Sequence, residues 1–128
     1  MIGGDLYNYM NVLNKAADAS WARLEVINNN LANVSTPNYK RKDVEFESYL
    51  SRELAGSGSI NSRVDDTNIS QLNYSIYTDN ANLSYRKDGN NVDIDVETSY
   101  QAETQIKYNA ILDSITAEFS RIRAVLNK

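Results

Sequence analysis

The chain has 128 residues, the size of one ordinary domain, and 41% of them are apolar. Its 13 basic residues are outnumbered by 17 acidic ones, so no basic excess is present to neutralise nucleic-acid phosphates. Neither cysteine nor histidine occurs, which excludes disulfides, thiol chemistry, the usual zinc sites and the commonest general base at neutral pH. We therefore expect no catalytic, cofactor or metal site and no nucleic-acid partner.

The sequence also lacks the patterns of membrane insertion. No stretch reaches the ~18 to 20 consecutive apolar residues that span a bilayer, and the N-terminus lacks the basic flank and apolar run of a cleaved signal peptide. We expect no direct membrane insertion, and any work outside the cytoplasm would require export without a cleaved signal.

An apolar stripe predicts a first helix from about Asp5 to about Asn33. Its members follow one another by alternating steps of four and three, the spacing of a coiled-coil seam with one polar lapse: Leu6, Met10, Leu13, Ala17, Ser20, Leu24, Ile27 and Leu31. Thr36 precedes Pro37 and is therefore disfavoured in a helix. The chain must turn or extend at this point.

The middle of the chain has weaker patterns. Apolar spacing predicts a short amphipathic helix from Val44 to Leu54, followed by a flexible Gly/Ser break at 55–59. Alternation predicts one weak hairpin, with strands at Leu72, Tyr74 and Ile76 and at Leu83 and Tyr85. The rest of 60–91 is polar and rich in asparagine, which is typical of a mobile loop or of an arm that orders on contact.

A second seam predicts a last helix that starts near Asp93 or Asp95 and runs nearly to Lys128. Its members are Tyr108, Leu112, Ile115, Phe119, Ile122 and Leu126. A seam this narrow covers roughly two positions in seven, so each helix needs a partner helix. The predicted fold is mostly α: a coiled-coil-like pair of terminal helices (1–35 and 93–128) and a polar, irregular middle (36–92), forming a single structural unit.

Several other features have ordinary explanations. The acidic residues Asp88, Asp93, Asp95 and Glu97 do not match a calcium loop, because the glycine follows the first Asp directly and the final bidentate Glu is missing. Arg23 and Arg121 are typical of a solvated helix face, and Trp21 of an interface contact beside a helical seam.

One short motif is more specific. Asn29, Asn30, Leu31, Ala32 and Asn33, followed by Thr36, Pro37 and Tyr39, resemble the N-terminal signature of the bacterial flagellar rod and hook family. The segments 88–97 and 105–110 are similar to the start of the C-terminal helix in the proximal rod proteins of that family. Asn38 stands where many relatives carry glycine, but asparagine tolerates a left-handed backbone and can serve the same turn.

This resemblance implies a structural subunit of the proximal rod in the flagellar basal body. Such a subunit would be exported unfolded through the flagellar type III channel into the periplasm. It would polymerise with copies of itself and other rod proteins, meet the MS ring and export gate at the rod base, and transmit torque as part of the drive shaft. The terminal helices would stay largely disordered in the exported monomer and order as neighbours bury their seams.

A different class of protein shares the same patterns. A soluble helical binding module, such as an export adaptor or chaperone, would also present amphipathic helices and lack catalytic residues. Stable dimers with cooperative melting would favour that alternative. A hydrolase or metal enzyme is remote, because histidine and cysteine are missing.

Overall fold

Two long helices dominate the computed structural model, which describes residues 2–81 and 86–127. Helix α1 spans Ile2–Ala32 and helix α4 spans Ile94–Leu126, and these two elements contact each other more extensively than any other pair. They run antiparallel, because Asn28 and Trp21 of α1 contact Gln101 and Tyr108 of α4, in that order. The mostly α fold with a packed terminal helix pair is confirmed.

Local backbone and side-chain features explain where α1 ends and where α4 begins. Past α1, the backbone turns at Asn38, whose φ of 60° lies in the left-handed region that asparagine tolerates. At the start of α4, the Asp93 carboxylate accepts the N–H groups of Asp95 and Val96 at 2.9 and 3.2 Å. The predicted turn at Asn38 and the predicted helix start at Asp93 are both confirmed.

The middle of the chain is more structured than its sequence indicates. A two-stranded antiparallel sheet pairs β1 (Lys42–Glu45) with β2 (Ser75–Thr78), and Val44 lies opposite Ile76. Three short helices accompany it: α2 (Glu47–Glu53), α3 (Ile60–Asp65) and a 3₁₀ turn (Ile69–Gln71). In the described ranges, no helix has the length and apolar character of a bilayer span.

Two predictions for the middle need correction. The helix predicted from Val44 begins only at Glu47, because the residues before it form a strand with both Asp43 and Val44 buried. The strand predicted at 72–76 lies at Ser75–Thr78, and its partner in the described part of the chain is β1. The other arm of the predicted hairpin, Leu83 and Tyr85, lies outside the described residues.

An apolar core joins the middle of the chain to α1. Val12 and Ala19 of α1 pack with Phe46 and Leu72, and Leu72 has no exposed surface. Partly buried side chains from α2, α3 and the 3₁₀ turn, namely Leu50, Val64 and Ile69, surround this cluster. Residues 60–72 are therefore packed against α1, and not a loose arm.

Candidate assembly surface

The predicted seam of α1 faces the interior of the chain. Leu24 and Ile27 are buried, and Ser20, the polar lapse, is buried as well. The other members are partly buried: Leu6, Met10, Leu13, Ala17 and Leu31. This stripe therefore packs mainly within the chain.

The predicted seam of α4 divides between two faces. Tyr108, Ile115 and Ile122 are partly buried, whereas Leu112, Phe119 and Leu126 are exposed. The positions of α4 that are buried most completely are polar, namely Glu97, Thr104 and Glu118. They share one helix face with Tyr108 and Ile122, since all five are separated by combinations of three- and four-residue steps. Part of the apolar surface of α4 therefore points away from α1.

A group of exposed and partly buried apolar residues lies where the C-terminal part of α4 meets the N-terminal part of α1. We call this region the open end; it comprises Leu6, Tyr9, Phe119, Ile122, Val125 and Leu126. All of these except Phe119 line a groove of about 700 Å³ between the two helices. Phe119 is 58% exposed, and Leu126 is 77% exposed. A contiguous apolar patch of this kind typically marks an interaction surface in a soluble protein.

The opposite end of the helix pair is closed by buried polar groups. We call it the polar junction; it comprises Arg23, Asn30, Arg41, Asp43, Asp79 and Glu97. Asn30 has no exposed surface, and its side-chain amide forms two hydrogen bonds with the backbone of Lys42. Asn30 Nδ2 donates to the Lys42 carbonyl at 2.7 Å, and Asn30 Oδ1 accepts the Lys42 N–H at 2.9 Å. Asn30 Nδ2 also donates to Glu97 at 3.1 Å, and Tyr39 O–H donates to Asn30 Oδ1 at 3.1 Å.

The charged part of the junction surrounds Arg41. Its guanidinium donates to Glu97, to Asp79 at 2.7 Å and to Asp43 at 3.2 Å, so it joins α4, β1 and the residue that follows β2. Arg23 of α1 donates to the same Asp43 at 2.9 Å. Both guanidinium groups also lie over the Tyr100 ring, 5.2 and 5.3 Å from its centroid, which is within cation–π range.

These contacts shift the protonation equilibria of the junction. Burial opposes the charge of Arg41, but hydrogen bonds to Glu97 and Asp79 outweigh it and raise the pKa of the guanidinium. Burial would raise the pKa of Asp43, but hydrogen bonds from Arg23, the Val44 N–H and Arg41 hold it below its ordinary value. Burial and the nearby Glu97 charge raise the pKa of Tyr39. Both pKa shifts therefore favour the charged forms of Arg41 and Asp43.

A second asparagine holds the turn between α1 and β1. Asn90 is fully buried, and its Nδ2 lies 2.8 to 3.0 Å from the carbonyl oxygens of Asn33, Val34 and Thr36. Asn38 N–H donates to the Asp88 carbonyl at 2.7 Å. The segment before α4 therefore donates hydrogen bonds to carbonyl groups just past the end of α1.

The residues of the predicted family motif have different environments in this turn. Asn30 and Tyr39 belong to the hydrogen-bonded network, whereas Asn29, Ala32, Thr36 and Pro37 are exposed. Asn33 donates back to the Asn29 carbonyl at 2.8 Å, and Leu31 is partly buried. The motif therefore builds a corner that turns the chain from α1 into β1.

Sequence reasoning missed most of the junction. Arg23 was expected on a solvated helix face, and this was wrong, because its side chain is only 19% exposed and is paired with Asp43. Arg41, Asp43 and Asp79 carry no local pattern, because two segments that are distant in sequence bring them together. The predicted acidic cluster disperses: Asp93 caps α4, Asp88 pairs with Arg86, and Glu97 pairs with Arg41.

Trp21 lies on the outer side of the helix pair. Its indole is 54% exposed, and its ring centroid lies 5.8 Å from that of Tyr108 at a tilt of 47°. Such a tilted pair stabilises helix contact and leaves one aromatic face in solvent.

Comparison with known proteins agrees with this architecture. Residues 10–40, which comprise most of α1 and the corner, match the model of the flagella basal body rod protein family. The flagellar basal body rod protein FlgB of Bacillus subtilis is 35% identical over 128 residues, covering 98% of this chain and 95% of that protein. The corresponding proteins of Borrelia hermsii and Escherichia coli K12 are 33% and 29% identical, each covering 81% of this chain and 84% and 82% of their own length. The chain belongs to the FlgB family of flagellar basal body rod proteins, the structural components of that rod.

Proposed function

We propose that this chain polymerises through its terminal helices into the proximal rod, the drive shaft that transmits torque. One observation carries the proposal: the helix pair is closed by buried hydrogen bonds at the polar junction and exposes apolar surface at the open end. A rod subunit must hold its own helices in a fixed arrangement and must also bind its neighbours. The polar junction suits the first requirement, and the open end suits the second.

The partners in this proposal follow from family membership. They are copies of this chain, other rod proteins, and the MS ring and export gate components at the rod base. The subunit reaches the periplasmic rod through the flagellar export channel, without cleavage of a signal peptide. The assembly seam comprises the predicted positions of both terminal helices, and its exposed members, Leu112, Phe119 and Leu126, are the ones available to neighbours.

The mechanism couples ordering to assembly, and we confine most of that coupling to the open end. The junction is satisfied by contacts within one chain, so it does not need a neighbour to order. Phe119, Val125 and Leu126 leave apolar surface in water until a neighbour covers them. Amide hydrogen exchange should therefore slow at 119–126 when the monomer assembles and change little at 94–104; equal changes in both segments would contradict this mechanism.

The function is tested by replacing the gene in the source bacterium. Deletion should leave basal bodies without a rod and cells that do not swim, and the wild-type gene should restore both. The chain should also remain in purified basal bodies, whereas an export adaptor or chaperone would stay in the cytoplasm. The variant Asn11→Asp, Asn14→Asp changes two exposed polar positions on α1 and is the control that should restore swimming.

A further inference from the structure

A cleft beside the polar junction is acidic. It has a volume of about 590 Å³ and lies between β1, α2 and α4, with Glu45, Glu47, Tyr77 and Glu103 among its lining residues. A smaller and mainly apolar crevice adjoins it; Ala16, Ala19, Phe46 and Leu50 line it together with the charged residues Arg23, Glu47 and Lys107. The combined surface offers apolar contact together with an excess of carboxylates.

The carboxylates of the cleft are only partly neutralised by Arg23, which also lines the cleft and interacts electrostatically with Glu103. Asp43 pairs with Arg23, and Glu47 pairs with Lys107. In the described ranges, neither Glu45 nor Glu103 forms a salt bridge. With four carboxylates and one guanidinium in its lining, the cleft has an excess of negative charge among the described residues.

The open end of α4 has the opposite character. Arg121 pairs with Glu118, whereas Arg123 forms no salt bridge with any described residue. Arg123 lies on the same helix end as Phe119, Val125 and Leu126, all of them exposed. This end therefore presents apolar surface together with a positive charge that no described residue pairs with.

We propose that the open end of α4 in one copy docks into the acidic cleft of a second copy. Arg123 meets Glu103 and Glu45, and an apolar side chain of α4 enters the crevice. The contact cannot form within one chain, because Glu103 and Arg123 are twenty positions apart on one straight helix, or about 30 Å at 1.5 Å per residue.

The geometry of this contact suits a rod. It joins two different surfaces, so each copy that is bound through its α4 end still offers a free cleft to another. Heterologous contacts of this kind continue indefinitely unless they close into a ring. The inference rests on the proposed function and names the surfaces through which copies of this chain meet.

Disulfide trapping tests the contact directly, because the chain contains no cysteine of its own. In cells that express Glu103→Cys, Arg123→Cys as a double variant, oxidised basal bodies should contain a ladder of dimers, trimers and larger disulfide-linked products. A disulfide needs Cα atoms about 5.5 Å apart, so the two cysteines of one copy cannot react with each other. Each single variant should give no ladder, and neither should Asn11→Cys, Arg123→Cys, because Asn11 is exposed on α1 and lies outside the cleft.

Charge reversal provides a second measurement. It tests the contact even where a cysteine variant fails to incorporate into basal bodies. Glu103→Arg and Arg123→Glu should each lower the number of assembled basal bodies roughly tenfold, because like charges then meet across the contact. The chain that carries both reversals should assemble better than either single variant.

Three outcomes separate the possibilities. A ladder with rescue by the double reversal supports the docking. Normal incorporation without a ladder, or single reversals that assemble like wild type, overturns the docking and leaves the proposed function standing. Absence of the wild-type chain from basal bodies overturns the proposed function and the docking with it.

Discussion

The two ends of the α1–α4 pair differ in how their surfaces are satisfied. At the polar junction, buried polar groups from α1, β1 and α4 meet one another, and Asn30 and Glu97 have no exposed surface. At the open end, apolar side chains of the same helices remain exposed, and Leu126 is 77% exposed. One end is completed by contacts within the chain, whereas the other leaves apolar side chains exposed.

The two ends therefore contribute to different properties: one to the specific alignment of the two helices, the other to the strength of contact with a neighbour. Buried hydrogen-bonded groups add little net stability over apolar packing, but they penalise every alignment that leaves them unpaired. Apolar surface is non-directional and gains free energy wherever it is covered. We infer that the junction sets the relative position of α1 and α4, and that the open end supplies much of the driving force for contact between subunits.

Loss of the Glu97 carboxylate should have the largest effect on the isolated chain. Glu97→Ala leaves the buried Arg41 without its fully buried partner and should lower the free energy of unfolding by about 3 to 5 kcal/mol. Urea denaturation followed by circular dichroism measures this change. Glu103→Ala, an exposed glutamate on the same helix, is the control and should change stability by less than about 0.5 kcal/mol. Equal effects of the two substitutions would contradict the role of the junction.

Two adjacent asparagines of the family motif, Asn29 and Asn30, provide a second comparison, because only Asn30 belongs to the polar junction. Asn30→Ala removes the hydrogen bonds to the Lys42 backbone, Glu97 and Tyr39, and should destabilise the fold by roughly 2 to 3 kcal/mol. Asn29→Ala changes an exposed neighbour and should cost less than about 1 kcal/mol. The same denaturation experiment measures both. If Asn29 matters as much as Asn30, the corner is held by local turn chemistry and not by the buried network.

The features that could be predicted from the sequence are those set by local spacing. The stripe from Leu6 to Leu31 indicated α1, and Asp93 or Asp95 was predicted to cap α4 because an aspartate before a helix accepts its free N–H groups; Asp93 is the cap. Asn38 was predicted to turn with a left-handed backbone, and its φ is 60°. These properties depend on neighbouring residues alone.

The features that were missed depend on contacts between distant segments. Strand β1 contains only four residues and is held by the Asn30 side chain and by β2, so local propensity does not reveal it. The face of α4 nearest to α1 was hidden because Glu97, Thr104 and Glu118 occupy its most buried positions, where an apolar pattern would be expected. Their partners lie far away in sequence, as Arg41 does from Glu97.

The open end should respond in assembly and not in folding. Phe119→Ser, Leu126→Ser removes exposed apolar groups, so the monomer should lose no more than about 0.5 kcal/mol of stability per site. Rod assembly should weaken about tenfold or more, because each side chain would otherwise be buried against a neighbour. Quantification of the chain in purified basal bodies measures this, and Asp113→Ser, an exposed polar position on the same helix, is the control. Loss of monomer helicity in the double serine variant would place these residues in the fold of the single chain.

The smallest expected effect is a pH dependence at Asp43. Its pKa is held below the ordinary value of about 3.9, so its charged form stabilises the fold above that pH and the contribution is lost as the pH falls through the lowered pKa. Asp43→Asn should therefore be less stable than wild type by about 1 kcal/mol at pH 7, and the gap should narrow below about pH 4 as the wild-type carboxyl is protonated. Thermal melting of both proteins between pH 7 and pH 3 measures the gap, with Asp113→Asn as an exposed control. A gap that stays constant over this range would show that the Asp43 charge is not what joins Arg23 to Arg41. The polar junction would then be held together by the neutral hydrogen bonds of Asn30 and by the Arg41–Glu97 pair.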